Sequence, residues 1–314
     1  MLTASVEYTS LRPPTHYALA FEPYLYNQTS FLRLKEYEVQ SFYAVDHARE
    51  LIIARIHFAM ETSLEGSLCA ISLPQLPFGS LEYSLSINIA QLTDFVVFVR
   101  DQLTQRGITS VEILDCIPAY RVDEAKLLHQ ALLDQDFVVQ EEAVNHHIPV
   151  DERELSTKMS AGQRGKLKKC VSASFTSARE SIDELSEVYS FVEMSYQARK
   201  RFLSLPLSAL QESVCKFPDQ YQLFSVYYLQ KRIAACVAVR VSLSALYTFY
   251  YTALASYGTY SPTVLLLDTV YQYCQSQKIS VLDLGTSSAE SVRKFKARMG
   301  GVSSEKYTYF LALG

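Results

Sequence analysis

The sequence predicts an α+β protein with two tandem domains, each a mixed sheet flanked by helices. One reason is length, because 314 residues are about twice the size of a usual single domain. A second reason is charge: residues 1–155 hold ten Lys and Arg against 22 Asp and Glu, whereas residues 156–314 hold 19 against 11. The halves therefore carry net charges of −12 and +8. A third reason is that the predicted order of elements in the first half recurs in the second.

The sequence of the first half predicts three strands, followed by a helix, a strand, a second helix and a last strand. The strand segments are rich in β-branched, aromatic and aliphatic residues, and a loop with Pro and Gly follows the third of them. Apolar residues at helical spacing predict the long first helix, which ends at Gly107, and Asp123 is expected to open the second. The predicted strands cover residues 32–43, 50–60, 67–73, 108–116 and 136–148, and the helices cover residues 88–106 and 123–134.

The second half repeats this order after two helices of its own. Pro262 is expected in the first turn of a long helix, because a helix start leaves its N–H groups unpaired and Pro has none. Pro and charged residues at 149–154 mark the join, so we expect domains at residues 1–150 and 151–314. The predicted helices cover residues 181–199, 207–215, 262–277 and 288–299, and the strands cover residues 221–230, 232–241, 245–254, 279–284 and 305–313.

Composition excludes several classes of protein. Hydrophobic residues make up 49% of the chain and charged residues 20%, so the chain is neither disordered nor collagen-like. No apolar run approaches the roughly 18 residues that span a bilayer, and the first residues lack the basic and apolar blocks of a signal peptide. We therefore expect a cytoplasmic protein without a transmembrane segment. The six cysteines form no CxxC pair and are expected to be reduced core thiols.

The charge division has two interpretations, which the sequence leaves open. Either the basic half faces an anionic partner, or the two oppositely charged halves dock on each other.

Several short stretches carry a resemblance to a known family. A Ser-Pro pair starts the long apolar helix at Ser261, a strand ends in Asp-Leu-Gly at 283–285, and the last helix contains Val-Arg-Lys-Phe-Lys-Ala-Arg-Met-Gly at 292–300. A basic segment at 159–170 precedes them, and Leu-Pro-Phe-Gly stands at 76–79. In this order and spacing the stretches resemble the FemAB/FemX-like group of aminoacyl and acyl transferases. The resemblance covers most of the chain and is strongest over its second half.

The resemblance implies a fold and an activity. Two GNAT-type domains are expected, together with transfer of an aminoacyl or acyl group to an amine on a cell-envelope precursor of peptidoglycan or polysaccharide. The family takes activated donors such as aminoacyl-tRNA, so we expect a small or nucleotide-linked anionic substrate and no cofactor. The first 70 residues depart from the family pattern, since the usual helical opening is short or missing, and a complete pocket in the first domain is not implied.

Lys296 is the strongest catalytic candidate. In the family the matching lysine lies beside the transferred acyl group, and a fixed cation there stabilises the oxyanion formed during acyl transfer to an amine. The alternative is a solvated basic helix face, because Arg293, Lys294, Lys296 and Arg298 are four cations within six residues. Lys296 is expected to be largely exposed, about 200° around the helix from Lys294.

Asp283 is the second catalytic candidate, because it ends a predicted strand where loops often carry active groups and a carboxylate there accepts a proton from an attacking amine. A structural role, in capping a helix or binding loop amides, is the open alternative.

The basic segment at 159–170 either binds phosphate groups or forms a solvated helix, and the sequence leaves both alternatives open. No motif for sequence-specific nucleic-acid binding is expected. The residues expected to bind substrate are Arg164, Lys168, Tyr260, Ser261, Arg293 and Phe295.

A coenzyme-A pyrophosphate site is not expected. GNAT acetyltransferases hold this group on free backbone N–H groups of a Gly-rich turn at a helix N-terminus. The equivalent turn, residues 257–262, has one Gly, and Pro262 supplies no N–H. The alternatives to the leading function are a non-catalytic binding or scaffold protein on the same fold and, disfavoured by this turn, a coenzyme-A-dependent N-acetyltransferase. The histidines lack ligand spacing, so no metal site is expected.

Overall fold

The computed structural model describes residues 6–63, 66–121 and 125–313. The chain divides into two compact units, the first comprising residues 1–143 and 305–314 and the second comprising residues 144–304. Each unit has its own apolar core.

The elements of the first unit begin with short strands and then follow the predicted order. In chain order they are β1 (Val6–Thr9), β2 (Ala18–Leu19), α1 (Thr29–Leu32), β3 (Val39–Asp46), β4 (Leu51–Thr62), β5 (Leu68–Ile71), β6 (Glu82–Tyr83), α2 (Ile89–Gln105), β7 (Ser110–Leu114), α3 (Ala125–Leu133) and β8 (Val138–Pro149), which continues into the second unit.

The second unit contains more helix before its strands. Its elements are α4 (Leu155–Lys158), α5 (Ala161–Ser172), β9 (Thr176–Glu180), α6 (Leu185–Gln197), α7 (Leu207–Lys216), β10 (Tyr221–Tyr228), β11 (Lys231–Arg240), β12 (Ala245–Ala253), α8 (Thr263–Ser276), β13 (Val281–Thr286), α9 (Glu290–Arg298) and β14 (Val302–Ala312), which continues into the first unit.

Helix α2 shows how the sequence specifies the first core. Asn88 and Gln91 form a capping box, in which each side chain accepts a hydrogen bond from the other residue's backbone N–H. Gly107 follows the helix with a φ of 75°, a left-handed conformation that glycine adopts without strain. The buried face lies against the core of the first unit and consists of Leu92, Phe95, Val96, Val99 and Leu103.

Buried ion pairs also stabilise the first unit. Arg55 pairs with Glu82, with 2.5 Å between Nε and Oε2, and Arg121 pairs with Asp115. Glu82 also accepts a hydrogen bond from the backbone N–H of Tyr24 at 2.6 Å. Burial raises the pKa of the Glu82 carboxyl, and the Arg55 cation opposes that rise.

The two units pair their strands in similar ways. In the first, β3, β4 and β5 are antiparallel neighbours, β5 and β7 are parallel, and β7 pairs antiparallel with β14. In the second, β9, β10, β11 and β12 are antiparallel neighbours, β12 and β13 are parallel, and β13 pairs antiparallel with β8. The predicted α+β class with mixed sheets is therefore confirmed.

The structure also differs from the sequence-based expectations. The strand expected at 32–43 begins only at Val39. The start of the expected range, Leu32, belongs to the short helix α1 instead. Strand β9 was not predicted, since its Thr-Ser-Ala-Arg-Glu sequence has no apolar alternation. Asp123, expected to open the second helix, lies outside the described residues, which resume at Ala125.

The closing strands join distant parts of the chain. Residues 145–149 of β8 pair with β13, and residues 308–312 of β14 pair with β7. The domain boundary at residue 150 stays a prediction. Within the described ranges, no helix is long and apolar enough to cross a bilayer.

Candidate functional site

The second unit contains a cavity of about 560 Å³, a size typical of small-molecule sites. It lies among β12, the end of β13, α9, the turn before α8 and the segment that follows α6. Seven aromatic residues line it, and the cationic side chains at the cavity are Arg199, Arg201 and Lys296. The aromatic residues are Tyr196, Phe202, Tyr247, Phe249, Tyr250, Tyr251 and Phe295.

Lys296 lies at the cavity but is buried rather than solvated. Only 2% of the residue is exposed, so the expectation that it would be a largely exposed helix lysine was wrong. Its Nζ donates hydrogen bonds to the carbonyl oxygens of Gly285 at 2.7 Å and Thr286 at 3.1 Å. Gly285 has a φ of 74°, and β13 is irregular between Asp283 and Thr286, so two successive carbonyls are available to one ammonium group.

Burial also changes the acid–base chemistry of Lys296. Burial lowers its pKa from the usual value of 10.5 to about 8, and the negative charge of Asp283 opposes the shift. The group is therefore mostly cationic at neutral pH. An ammonium has three N–H donors, and among the described residues only two acceptors are found for them. The third donor has no acceptor among the described residues.

Asp283 belongs to β13, two residues before Gly285, and does not line the cavity. It is 4% exposed, and its Oδ1 accepts hydrogen bonds from Asn145 Nδ2 and from the backbone N–H of Gly285, both at 2.7 Å. These contacts fix the backbone at Gly285, whose carbonyl binds Lys296, as the structural alternative expects. The role of Asp283 as a proton acceptor stays a prediction.

The structure separates the predicted substrate-binding residues into two groups. Ser261 and Phe295 line the cavity together with Lys296. The remaining four predicted residues, which are Arg164, Lys168, Tyr260 and Arg293, do not line it.

Each of these four has a different position outside the cavity. Arg293 donates from Nη2 to the Ser288 carbonyl at 3.0 Å and so stabilises the start of α9. Tyr260 packs on the Phe175 ring, with 5.1 Å between ring centroids. Arg164 is exposed and donates to the Met159 carbonyl, and Lys168 is exposed on α5. Substrate binding by these residues stays a prediction.

Several cavity residues were missed by the sequence analysis. Arg199 donates from Nη1 to Thr252 Oγ1 at 2.6 Å, and the Arg201 guanidinium lies 5.0 Å from the centroid of the Tyr196 ring. The sequence signal that could have found them is the Arg-Lys-Arg run at 199–201, directly before Phe202. Tyr247 had no such signal, because it is one of several aromatic residues in β12.

The turn before α8 does not fit a pyrophosphate. The backbone N–H groups of Gly258, Tyr260 and Ser261 donate to the carbonyls of Ala255 and Tyr257 within the same turn, at 3.0 to 3.1 Å. These donors are therefore already used, and the N–H groups that a GNAT turn offers to coenzyme A are largely missing.

Comparisons with known proteins agree with this architecture. Residues 158–296 match the family model described as acetyltransferase (GNAT) domain. No curated protein sequence matches the chain significantly.

Several solved structures resemble the chain at low sequence identity. The crystal structure of FemX is 12% identical with a TM-score of 0.74, and the match covers 94% of each chain. L-PGS from Bacillus licheniformis is 14% identical with a TM-score of 0.57, over 86% of this chain and 83% of that one. A tandem GNAT protein from the clavulanic acid biosynthesis pathway is 9% identical with a TM-score of 0.55, over 99% of each chain.

The family model covers the motifs at 261–262 and 283–285 and the first residues of the motif at 292–300, and the structural likeness supports the fold. The matched segment ends at Lys296 and includes the residues that line the cavity. The predicted resemblance is confirmed: residues 158–296 match a GNAT acetyltransferase domain, and the chain is similar to FemX in its double-GNAT fold.

Proposed function

We propose that this protein transfers an acyl group, in particular an aminoacyl group, from an activated donor to an amine on a cell-envelope precursor. The observation that carries the proposal is the buried Lys296 ammonium, which lines a cavity of ligand size and keeps one N–H donor available. The class of the acceptor comes from the sequence resemblance to the FemAB/FemX-like group.

The chemistry follows from the position of Lys296. The acceptor amine attacks the carbonyl carbon of the acyl group, a C–N bond forms, and the carbonyl π electrons move to the oxygen. The resulting oxyanion is stabilised by a cation that is already fixed and largely removed from water. When the carbonyl re-forms, the bond to the donor breaks and the donor leaves with that electron pair. The amine nitrogen gives up its proton, which ends on the departing atom of the donor.

The other cations of the cavity favour an anionic, nucleotide-linked substrate. Arg199 is held by its bonds to Thr252 and to the Ala253 carbonyl, and Arg201 is held against the Tyr196 ring. A guanidinium fixed in this way loses little conformational entropy when it binds a phosphate or a carboxylate. Phe202, 88% exposed beside Arg201, adds an aromatic surface at the cavity.

The proposed donor is aminoacyl-tRNA rather than acyl-coenzyme A. The supporting observation is the turn at 257–262, whose backbone donors are used within the turn and whose Pro262 has none.

The test is a transfer assay with defined probes. The purified chain is given a UDP-linked muramyl pentapeptide as acceptor and either radiolabelled alanyl-tRNA or acetyl-coenzyme A as donor. We expect transfer from alanyl-tRNA and none from acetyl-coenzyme A. Lys296→Met is expected to lower the rate by at least about 10²-fold, as other losses of an oxyanion donor do.

Lys294→Met is the matched control on the same helix. The Lys294 side chain is exposed and its Nζ pairs with Glu290 Oε1 at 2.6 Å, so its loss is expected to leave the rate unchanged. Equal losses in both variants would mean that α9 contributes only a general positive charge. Transfer from acetyl-coenzyme A alone would replace the proposal with an N-acetyltransferase, and transfer from neither donor would favour a binding protein.

A further inference from the structure

Gly285 lies between two side chains that reach the cavity from different elements. Its carbonyl accepts the hydrogen bond from Lys296 Nζ at 2.7 Å. On the side where a β-carbon would stand, the Tyr247 ring fills the space: that position is 3.2 Å from Cε2 and 3.5 Å from the phenol oxygen of Tyr247. Both Tyr247 and Lys296 line the cavity. The Tyr247 hydroxyl and the Lys296 ammonium are therefore close neighbours of the same residue.

The strand pairing explains why Tyr247 stands there. Strands β12 and β13 are parallel, and Tyr247 is the register partner of Asp283, so their side chains are on the same face of the sheet. The absence of a side chain at Gly285 leaves room for the Tyr247 ring beside this residue. A β-carbon at 285 would require the ring to shift by a few tenths of an ångström.

The hydroxyl of Tyr247 is available as a donor. Within the part of the chain that the structure describes, it has no hydrogen-bond partner, whereas the neighbouring Tyr250 hydroxyl binds Ser204 Oγ and the Leu205 N–H, both at 2.9 Å. Burial and then the charge of Asp283 raise the pKa of Tyr247, so the phenol stays protonated throughout the neutral range.

We propose that the Tyr247 hydroxyl is a catalytic hydrogen-bond donor that stabilises the acyl-transfer oxyanion together with Lys296. The inference rests on the proposed function and extends it to a second donor. Two donors fit the chemistry because a carbonyl oxygen that gains negative charge has room for more than one hydrogen bond. The phenol donates a hydrogen bond and keeps its proton, so no bond to Tyr247 forms or breaks.

The kinetic test uses Tyr247→Phe, which removes the hydroxyl and keeps the ring that packs against Gly285. With alanyl-tRNA and the UDP-linked muramyl pentapeptide as probes, we expect kcat to fall about 10²-fold with little change in KM. The loss should be the same from pH 6 to 8, because the phenol does not titrate there. Tyr228→Phe is the control, since this half-buried ring packs edge-on against Phe175 and does not line the cavity, and its change is expected to leave kcat unchanged.

A binding measurement tests the pair of donors without any reaction. Methylphosphonate is a small tetrahedral anion, and its binding can be followed by NMR titration of the wild-type chain. We expect the affinity to fall at least several-fold in both Tyr247→Phe and Lys296→Met, with Tyr228→Phe unchanged and the thermal stability of Tyr247→Phe near that of the wild type.

The outcomes separate this inference from the proposed function. A large loss of transfer in Lys296→Met but none in Tyr247→Phe would overturn the role of Tyr247 and leave the proposed function standing. A Tyr247→Phe protein with raised KM and unchanged kcat would show that the hydroxyl only binds substrate, which also overturns the inference. If the wild type transfers nothing, the proposed function fails, and the methylphosphonate titration decides whether the two donors share an anion site.

Discussion

The burial of Lys296 predicts a pH dependence of stability that one substitution isolates. The folded chain holds this lysine at a pKa of about 8, whereas an unfolded chain has the ordinary value of 10.5. Between these values the unfolded state binds a proton that the folded state does not, so the free energy of unfolding rises with pH in that window. Below pH 8 both states are protonated, and the folded state bears the cost of the buried charge. Each unit of pKa difference corresponds to about 1.4 kcal/mol.

The measurement is equilibrium unfolding by urea at pH 7 and pH 10, on the wild type and on Lys296→Met. Other groups also titrate in this range, so the informative quantity is the difference in stability between the two proteins. From pH 7 to pH 10 that difference should move by roughly 2–3 kcal/mol in favour of the wild type. Lys294→Met, at an exposed position, should show no such movement. Parallel pH profiles for wild type and Lys296→Met would refute the argument that this lysine is buried as a cation.

Three further predictions concern the same loop and the first core. Asp283→Asn removes the negative charge that raises the Lys296 pKa, so the lower end of the pH window just described should fall below 8. Gly285→Ala forces a left-handed residue with a φ of 74° against an aromatic ring, so urea unfolding should show a loss of at least roughly 1–2 kcal/mol. Arg55→Met leaves Glu82 buried without its cation, and calorimetry should show a loss of about 3–5 kcal/mol, whereas a smaller loss would mean that Glu82 is already protonated.

The sequence predicted the elements that have local signals. Helix α2 was predictable because a capping box, a periodic apolar face and Gly107 all mark it, and α8 because Pro262 precedes an apolar run. Strand β9 was not predictable, since its five residues are stabilised by pairing with β10 rather than by apolar alternation. A local sequence pattern predicts only the structure that a segment favours by itself, whereas β9 requires pairing with β10.

The residues of the candidate site also divide into those that a local sequence signal marks and those that depend on distant parts of the chain. Lys296, Phe295 and Ser261, which the motifs single out, line one cavity, and their roles stay predictions. The burial of Lys296 could not be predicted, because it is one of four cations within six residues and depends on two carbonyls of β13, ten and eleven residues away in sequence. Tyr247 could not be predicted either, since its nearness to Lys296 comes from the parallel pairing of β12 and β13 across more than thirty residues of sequence.

The pairing of β7 with β14 has a consequence for synthesis on the ribosome. Leu114 of β7 has Thr308 of β14 as its partner, so the sheet of the first unit stays incomplete until residue 308 has been translated. Translation adds about 5–20 residues per second, so roughly 10–40 s pass between the synthesis of β7 and that of its partner strand β14. During that time its backbone N–H and C=O groups are open to pairing with other nascent chains. Conditions that slow translation should therefore favour aggregation of the first unit over the second.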